Sequence, residues 1–345
     1  MIGILGFLVL AVAVGGRYLP ARPGMALAVF WWAILVLAHS PLVAHPNGAA
    51  ALLGGNFTAW LLAGMLAVPV IGYRFGLQAL RRKIAAKTLA PARPGAFQPV
   101  ELERYARHIM LREIGGQGQR KLKDASVLVV GAGGLGSPAL LYLAASGVGR
   151  IGVIDPDVVE NSNLQRQIIH TDGRIGMPKV HSAVAAMAAL NPFLDLRAYA
   201  RRVDAEAGGL FADYDLILDG TDNLDTRYLV NRLAVAAGKP LIAAAITQWE
   251  GQISLYDPAQ GGPCFECIFP NRPAPGMVPT CAEAGVAAPL PGVLGAMMAM
   301  EAVKYVTGAG QNLRGRLMIY DGLYTEARVI GTKPREGCKV CGASR

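Results

Sequence analysis

The sequence predicts an α/β fold around a mostly parallel sheet, preceded by an apolar N-terminal part. One sign is the run Ser126–Val130, which is short, apolar and β-branched, as buried parallel strands are. The second sign is the glycine-rich turn and the helical segment that follow this run, because strand–helix–strand units have this order. The third sign is composition, because residues 1–97 contain no Asp or Glu but several long apolar runs. We therefore expect two structurally different parts.

The glycine-rich turn after the first strand indicates a Rossmann-like nucleotide site. Glycines let the backbone turn tightly and approach a phosphate, whose charge is stabilised by the N-terminus of the following helix, about Ser137 to Ser146. The second strand, Ile151–Ile154, ends in Asp155, where a carboxylate can accept hydrogen bonds from a ribose. A domain that binds NAD or FAD has the same features. The glycines are Gly131, Gly133, Gly134 and Gly136.

The residues after Asp155 favour a nucleoside triphosphate over a dinucleotide. A dinucleotide pyrophosphate is held mainly by backbone amides, whereas a triphosphate under attack is stabilised by fixed cations. Arg166 is one such cation beside the predicted phosphate site, and Lys179 is a candidate for a second. The same segment carries amide side chains at Asn161, Asn163, Gln165 and Gln167.

Another polar group follows the apolar strand Leu216–Leu218, in the run DGTDN from Asp219 to Asn223. Ligands bind at the carboxyl ends of strands in open α/β sheets, and carboxylates near phosphates commonly hold Mg²⁺. Asp219 and Asp222 are therefore candidate magnesium ligands. Capping of the next helix is the alternative role for Asp219 and Asp222.

The rest of the chain predicts further strands and a long helix, which complete a mixed sheet with helices on its faces. The strands are expected near Leu241–Ala244, Gln252–Tyr256 and Leu317–Tyr320, and the helix over Gly295–Val306.

The cysteines predict a structural zinc site. Four of the five form two CxxC pairs, Cys264 with Cys267 and Cys338 with Cys341, which is the spacing of a Cys₄ site. Zn²⁺ there would hold the C-terminal tail against the domain. Two redox pairs are the alternative, although neither pair stands in a thioredoxin-like strand-to-helix context. The fifth cysteine, Cys281, follows a Pro- and Gly-rich stretch, which indicates an irregular loop.

Six segments of the chain carry a specific resemblance. They are RYARHIML (104–111), GAGGLG (131–136), NSNLQRQ (161–167), GMPK (176–179), DGTDN (219–223) and TCAEAGVAAPLPGVLGAMMAMEAVK (280–304). In this order, over about Glu101 to Gly342, they resemble the MoeB/ThiF/HesA family, which is related to the ubiquitin-activating enzymes. The resemblance implies the α/β, Rossmann-like mixed sheet of those enzymes for residues 98–345.

The resemblance implies ATP-dependent adenylation of the C-terminal glycine of a ubiquitin-like sulfur-carrier protein, with release of pyrophosphate. The carrier would serve molybdopterin synthesis, thiamin synthesis or another thiolation pathway. By their places in the motifs, Asp155 would bind the ribose, Gly134 would contact the nucleotide and Asp222 would hold Mg²⁺. The residues expected at the phosphates are Asn163, Arg166 and Lys179, with Ser162, Leu164, Gln165 and Asn223 beside the nucleotide.

The resemblance also implies roles for Arg107 and Cys281. Arg107 matches an arginine that reaches into the partner subunit's phosphate site, which predicts a homodimer; a solvated residue on an amphipathic helix is the alternative. Cys281 aligns with a cysteine that links some relatives covalently to their carrier, although MoeB-like members adenylate without it. Since only four residues follow Cys341, we expect a separate sulfur donor, such as a cysteine desulfurase or a rhodanese.

The apolar runs in residues 1–80 predict a membrane anchor of two or three transmembrane helices, at about residues 2–16, 25–44 and 49–73. Basic residues lie between the first two runs and dominate residues 81–97, as in a juxtamembrane linker. The positive-inside rule then predicts a multi-pass protein of the cell (inner) membrane, with the catalytic domain in the cytoplasm.

The net charge of +9 does not predict a nucleic-acid partner. Eight of the 33 Lys and Arg residues lie before residue 97, which leaves 25 against 24 Asp and Glu. The part of the chain after residue 97 is therefore almost neutral, and its sequence shows no motif of basic and aromatic surface residues.

Two other classes of function stay open. A membrane-tethered NAD-dependent oxidoreductase would have no need of Arg166, Lys179 and Asp222. A non-catalytic membrane scaffold that binds ATP as a signal would keep these groups without using them.

Overall fold

The structure, a computed structural model, describes residues 2–15, 21–41, 53–67, 73, 97–272 and 284–342. The chain divides into two compact units, Met1–Pro91 and Ala92–Arg345. Cys281 and residues 81–96 of the predicted basic linker lie outside the described residues.

The N-terminal unit contains α1 (Ile2–Gly15), α2 (Ala21–Ala38) and a further helical stretch over residues 57–67. Tryptophan indoles tie these helices together by donating to backbone carbonyl oxygens. Trp31 Nε1 lies 2.9 Å from Gly3 O, and Trp32 Nε1 lies 2.8 Å from Trp60 O. A Cβ atom at Gly6 would stand 2.4 Å from the Trp31 ring, so glycine allows the indole to pack directly on the α1 backbone.

The prediction of a membrane anchor is contradicted by the lengths of these helices. At 1.5 Å per residue, α1 is about 21 Å long, whereas a bilayer core is about 30 Å thick. The second predicted span, 25–44, is cut short because α2 ends at Ala38 and the chain turns there. Within the described ranges, no helix combines the length and the apolar character that crossing a bilayer requires. The expected multi-pass inner-membrane protein with a cytoplasmic catalytic domain is thus not what the structure shows.

The second unit is an α/β domain whose strands form one eight-stranded sheet, in the order β3-β2-β1-β4-β5-β6-β7-β8. Its strands are β1 (Ser126–Val130), β2 (Arg150–Ile154), β3 (Asp195–Tyr199), β4 (Leu216–Asp219), β5 (Leu241–Ile246), β6 (Glu250–Tyr256), β7 (Arg316–Asp321) and β8 (Glu326–Gly331). Its helices are α3 (Pro99–Ile109), α4 (Gly115–Asp124), α5 (Gly136–Ser146), α6 (Lys179–Leu190), α7 (Gly208–Ala212), α8 (Leu224–Ala236), α9 (Phe265–Ile268) and α10 (Pro289–Thr307).

The sheet is mixed, as predicted. The five strands from β3 to β5 pair in parallel, and β6, β7 and β8 continue the sheet by antiparallel pairing. All five residues of β1 are buried, because this central strand is covered on both faces. Val127 and Val129 join one apolar cluster and Leu128 and Val130 the other, which follows the two-residue period of a strand.

The long helix α10 packs closely against α5 at a glycine. A Cβ atom at Gly295 would lie 2.3 Å from Leu135 O and 2.4 Å from Pro138 Cγ, and no real Cβ atom approaches that closely. One turn earlier in the same helix, a Cβ atom at Gly292 would meet nothing within 4 Å. Gly295 therefore sets the distance between the helix that follows the glycine-rich turn and the helix that covers the antiparallel half.

The replacement Gly295→Ala is expected to lower the free energy of unfolding by about 2 kcal/mol, because overpacking of a rigid contact costs on the order of 1–3 kcal/mol. Gly292→Ala is the matched control, and it is expected to be neutral or slightly stabilising because alanine favours helix. Chemical denaturation of both variants measures the difference. Equal effects of the two replacements would show that the close approach at Gly295 is not a constraint.

Candidate functional site

A cavity of about 1160 Å³ opens at the carboxyl ends of β1, β2 and β4. The chain runs from β1 to β2 on one side and returns to β4 on the other, and such a switch point leaves a crevice between the turns. The predicted residues that line the cavity are Gly131, Gly133, Gly134, Asp155, Arg166, Lys179, Asp222 and Asn223.

The glycine-rich turn lies at the bottom of this crevice. Gly131 has a φ of +93°, which favours glycine, and a Cβ atom there would stand 3.2 Å from Gly220 O in the turn after β4. A Cβ atom at Gly136 would stand 1.9 Å from Gly131 O, so this glycine is needed to close the turn into α5. At Gly133 the space is open, since the nearest atom would be Gln167 Nε2 at 3.8 Å. A ligand can therefore approach the backbone at Gly133.

The Asp155 carboxylate orders the backbone on both sides of the crevice. Its Oδ2 accepts a hydrogen bond from Ala132 N in the glycine turn, and its Oδ1 accepts one from Asp157 N, both at 2.8 Å. Burial raises the pKa of this carboxyl above its ordinary value, although these two hydrogen bonds act in the opposite direction. Each oxygen keeps a lone pair for a ligand hydroxyl.

Lys179 is buried at the start of α6 and reaches the cavity wall. Its Nζ lies 2.9 Å from Asp157 Oδ2, and its backbone N donates to Asp157 O. Asp157 is exposed, so this ion pair faces the cavity on one side. An anion that entered the cavity could take over the ammonium group without leaving a buried charge unpaired.

Arg166 lies above Gly134 on the other side of the glycine turn. Its Cδ would be 3.8 Å from a Cβ atom at Gly134, and its guanidinium donates to Ser162 O at 3.1 Å. The rest of this segment supports the arginine from outside the cavity. Asn163 Oδ1 accepts from Glu160 N, and Gln165 Nε2 donates to Val286 O.

The turn after β4 presents one free carboxylate to the cavity. Asp219 is buried, and its Oδ1 accepts from both the backbone N and the hydroxyl of Thr221. Asn223 caps α8 by accepting from Thr226 N at 2.8 Å. Asp222 stands between them, exposed on the cavity wall, and none of the described residues forms an ion pair with it. The capping role therefore belongs to Asn223, which leaves Asp222 available for a cation.

Arg227 holds the same turn from below. Its buried Nη2 donates to Thr221 O and, at 2.7 Å, to Ala244 O, so it joins the carboxyl ends of β4 and β5. Among the described residues, no carboxylate forms an ion pair with it. A buried guanidinium with carbonyl partners alone adds positive charge to the cavity wall.

The four paired cysteines meet in a separate cluster. All are buried, and their sulfur atoms lie within 4.8 Å of one another. The Sγ atoms of Cys264 and Cys267 are 3.7 Å apart, as are those of Cys264 and Cys338, and those of Cys267 and Cys341 are 3.4 Å apart. Four thiolates at about 2.3 Å from a tetrahedral Zn²⁺ stand about 3.8 Å apart. The donor set and its spacing fit this ion.

The backbone around the cysteines also favours a thiolate at one of them. Burial alone would raise the pKa of the Cys338 thiol, but hydrogen bonds from the backbone N–H groups of Cys341 and Val340 lower it to about 6. The thiolate is the form of cysteine that binds metal ions.

Comparison with known proteins accounts for this combination of features. The sequence model of the ThiF family matches residues 105–340. The chain belongs to the ThiF family. The sulfur carrier protein adenylyltransferase of Thermus thermophilus is 47% identical over 247 residues, which cover 70% of this chain and 91% of that protein. The probable adenylyltransferase/sulfurtransferase MoeZ of Mycobacterium tuberculosis is 49% identical over 239 residues, which cover 68% of this chain and 61% of that protein.

The fold of this ThiF-family chain is also found in a solved structure. Escherichia coli MccB, crystallised with ATP, superimposes with a TM-score of 0.59 at 25% identity, over 69% of this chain and 74% of that chain. The resemblance to the MoeB/ThiF/HesA family and the α/β mixed sheet are thus confirmed.

Some predicted residues of the ThiF-family site lie outside the cavity, and others that line it were not predicted. Arg107 is exposed in the last turn of α3, and within the described residues of this single chain it does not reach the cavity. Neither do Gly136, Ser162, Asn163, Leu164 and Gln165. Gln167, one of the amides expected beside the phosphates, does line the cavity, and the unpredicted lining residues include Asp157, Arg201, Arg202, Thr221, Arg227 and Gln252. Only Asp157 and Thr221 had a usable signal, their place directly after a predicted strand.

The cysteine cluster predicts about one zinc ion per chain in protein purified from zinc-containing medium. Cys338→Ser is expected to lose most of this zinc and to lower the melting temperature, because the tail is no longer held by the ion. Cys281→Ser, outside the CxxC pairs, is the matched control and should keep the zinc content of the wild type. Elemental analysis by mass spectrometry measures both, and a wild-type chain free of zinc would refute the site.

Proposed function

We propose that this chain adenylates the C-terminal glycine carboxylate of a ubiquitin-like sulfur-carrier protein. The observation that carries the proposal is the cavity at the switch point, where a glycine turn, the cations Arg166 and Lys179 and the carboxylate of Asp222 face the same space. Membership of the ThiF family supports it, and so does the similarity to the sulfur carrier protein adenylyltransferase of Thermus thermophilus, since the match covers 91% of that protein.

The nucleotide part of the cavity suits ATP. Asp155 offers acceptors for ribose hydroxyls, and Gly133 leaves room for a phosphate beside its backbone. Arg166 and Lys179 stand on the two sides of that room, where negative charge builds up when a phosphate is attacked. Asp222 would hold Mg²⁺, with phosphate oxygens and water as its other ligands.

The cavity also extends past the nucleotide part toward the antiparallel half of the sheet. Ile246, Gln252 and Ile319 line this extension, together with Thr247 and Gly251. An extended peptide end that enters from this side would reach the phosphates without displacing the nucleotide. A second substrate with a free C-terminus fits this arrangement.

The chemistry is a single displacement. A carboxylate oxygen of the carrier attacks the α-phosphorus of ATP, the bond from that phosphorus to the bridging oxygen breaks, and pyrophosphate leaves with the electron pair. The product is a mixed anhydride of the carrier carboxylate and AMP. Because AMP is a far better leaving group than oxide, a sulfur nucleophile can then open the anhydride.

Several partners belong to this proposal. The chain would work as a homodimer in which Arg107 of one subunit enters the phosphate site of the other. A separate sulfur donor, such as a cysteine desulfurase or a rhodanese, would act on the adenylate, and Cys281 would form the covalent link to the carrier at that later stage. Zn²⁺ at the four paired cysteines would hold the C-terminal tail.

Exchange of labelled pyrophosphate into ATP tests the adenylation step. With Mg²⁺ and a candidate carrier protein, the wild type is expected to incorporate label only when the carrier is present. Arg166→Ala and Asp222→Asn should slow exchange by about a hundredfold or more, because each removes a charge that stabilises the transferring phosphate. Arg197→Ala removes an equal charge on the edge strand β3, outside the cavity, and should leave the rate unchanged.

Failure of the exchange reaction with every carrier tested, in protein that binds ATP, would favour the ATP-binding scaffold. Turnover of NAD in place of exchange would favour an oxidoreductase.

Mixing two inactive variants tests the shared site. Arg107→Ala and Arg166→Ala are each expected to be inactive. When the two are coexpressed, each mixed dimer has one site with both arginines, so about a quarter of all sites should be active. Exchange activity of the mixture, compared with each variant alone, measures this. Mixed dimers without any activity would show that Arg107 does not act across the interface.

A further inference from the structure

His170 is a buried histidine that contacts three segments of the nucleotide cavity. Its Nε2 lies 2.9 Å from Ala132 O in the glycine turn, and its Nδ1 lies 2.9 Å from Ser182 Oγ in α6, the helix that begins with Lys179. Its own backbone N donates to Gln167 O, next to Arg166. The sequence alone gave this residue no role.

The partners of His170 determine which ring nitrogen carries the proton. A carbonyl oxygen can only accept, so Nε2 must donate to Ala132 O. In the neutral ring Nδ1 is then an acceptor, and the Ser182 hydroxyl donates to it. The backbone of Ser182 is fixed as well, because its N donates to Pro178 O and its O accepts from Arg174. The ring therefore lies between two rigid partners.

The hydrogen bond to Ala132 O determines the direction of a neighbouring backbone donor. In a trans peptide the C=O and the following N–H point in opposite directions. Because the Ala132 carbonyl points at His170, the Gly133 N–H points away from it, on the side of the cavity that Gly133 lines. None of the described residues accepts a hydrogen bond from this N–H. The backbone N of Ala132 is also held, because it donates a hydrogen bond to Asp155.

We propose that His170 is a positioning residue, which holds the Ala132–Gly133 peptide so that the Gly133 N–H donates to a phosphate of the bound nucleotide. The inference rests on the proposed function only in that the cavity binds ATP. It adds to that function a residue that does not itself touch the substrate. A histidine that served the apolar core alone would have no reason to hold a carbonyl of the glycine turn.

The charge of His170 is determined by the groups around it. Burial lowers the pKa of this imidazole, against the hydrogen bond to Ala132 O, and the positive charges of Lys179 and Arg174 lower it further. Asp155 is the acidic group on the far side of the Ala132 peptide. The ring is therefore neutral near pH 7. When it is protonated, Nδ1 becomes a donor, and the Ser182 hydroxyl must turn away to accept.

This lowered pKa determines how the stability of the fold depends on pH. Below about pH 6.5 the unfolded chain binds a proton that the folded chain resists, so stability falls as pH decreases toward the folded-state pKa.

The test compares ATP with adenosine, which has no phosphate. His170→Leu removes the donor to Ala132 O and is expected to weaken ATP binding by about tenfold, the effect of one hydrogen bond to a charged group. Adenosine affinity should change little. His170→Gln keeps an N–H donor and should restore part of the ATP affinity. His181→Gln, on the exposed side of α6, is the control and should match the wild type.

Ser182→Ala tests the same idea without replacing the histidine. Loss of the hydroxyl leaves Nδ1 without its donor and the ring less firmly held, so ATP affinity should fall a few-fold while adenosine affinity changes little. Calorimetric titration with each ligand near pH 7 measures this, and denaturation of each variant reports its stability.

The outcomes separate the two proposals. If the wild type binds no ATP, the proposed function fails. If the wild type binds ATP and His170→Leu binds it equally well, or loses ATP and adenosine affinity to the same extent, the positioning role fails. Should His170→Leu not fold, an ATP affinity of Ser182→Ala equal to that of the wild type would overturn the proposal.

Discussion

The close approach of two backbone turns, at the carboxyl ends of β1 and β4, is the constraint on which the nucleotide cavity depends. At Gly131 only 3.2 Å would separate a Cβ atom from Gly220 O, and at Gly136 only 1.9 Å would separate one from Gly131 O. A side chain at Gly131 would push the two turns apart, and one at Gly136 would open the first turn itself. Since Asp155 is fixed to the first turn and Asp222 belongs to the second, both ends of the cavity depend on this contact.

The charges around the cavity are arranged so that it stays stable without a ligand. Lys179 is paired with Asp157, and Arg166 is held by a backbone carbonyl. Among the described residues, Arg227 has carbonyl partners only, at the ends of two strands. A nucleoside triphosphate would therefore meet cations that are already held at the cavity wall, which lowers the cost of binding.

The sequence predicted those elements of the fold whose pattern of apolar residues matches their burial in the structure. Ser126–Val130 is a strand as expected, because an uninterrupted apolar run suits a strand that is buried on both faces. The exposed edge strand β8 carried no such pattern and was not predicted. The apolar N-terminus predicted spans that are not found among the described residues, since apolarity alone does not determine where α2 ends. Motifs located Asp155, Lys179 and Asp222, but the roles of His170 and Arg227 depend on contacts distant in sequence.

A crystal structure of the full chain with a non-hydrolysable ATP analogue and Mg²⁺ tests the account most directly. It is expected to show the phosphates beside Gly133 and Gly134, with Lys179 Nζ moved from Asp157 to a phosphate oxygen and the metal ion bound by Asp222. A nucleotide bound elsewhere, or phosphates in the cavity with the Lys179–Asp157 pair intact and Asp222 without metal, would contradict it.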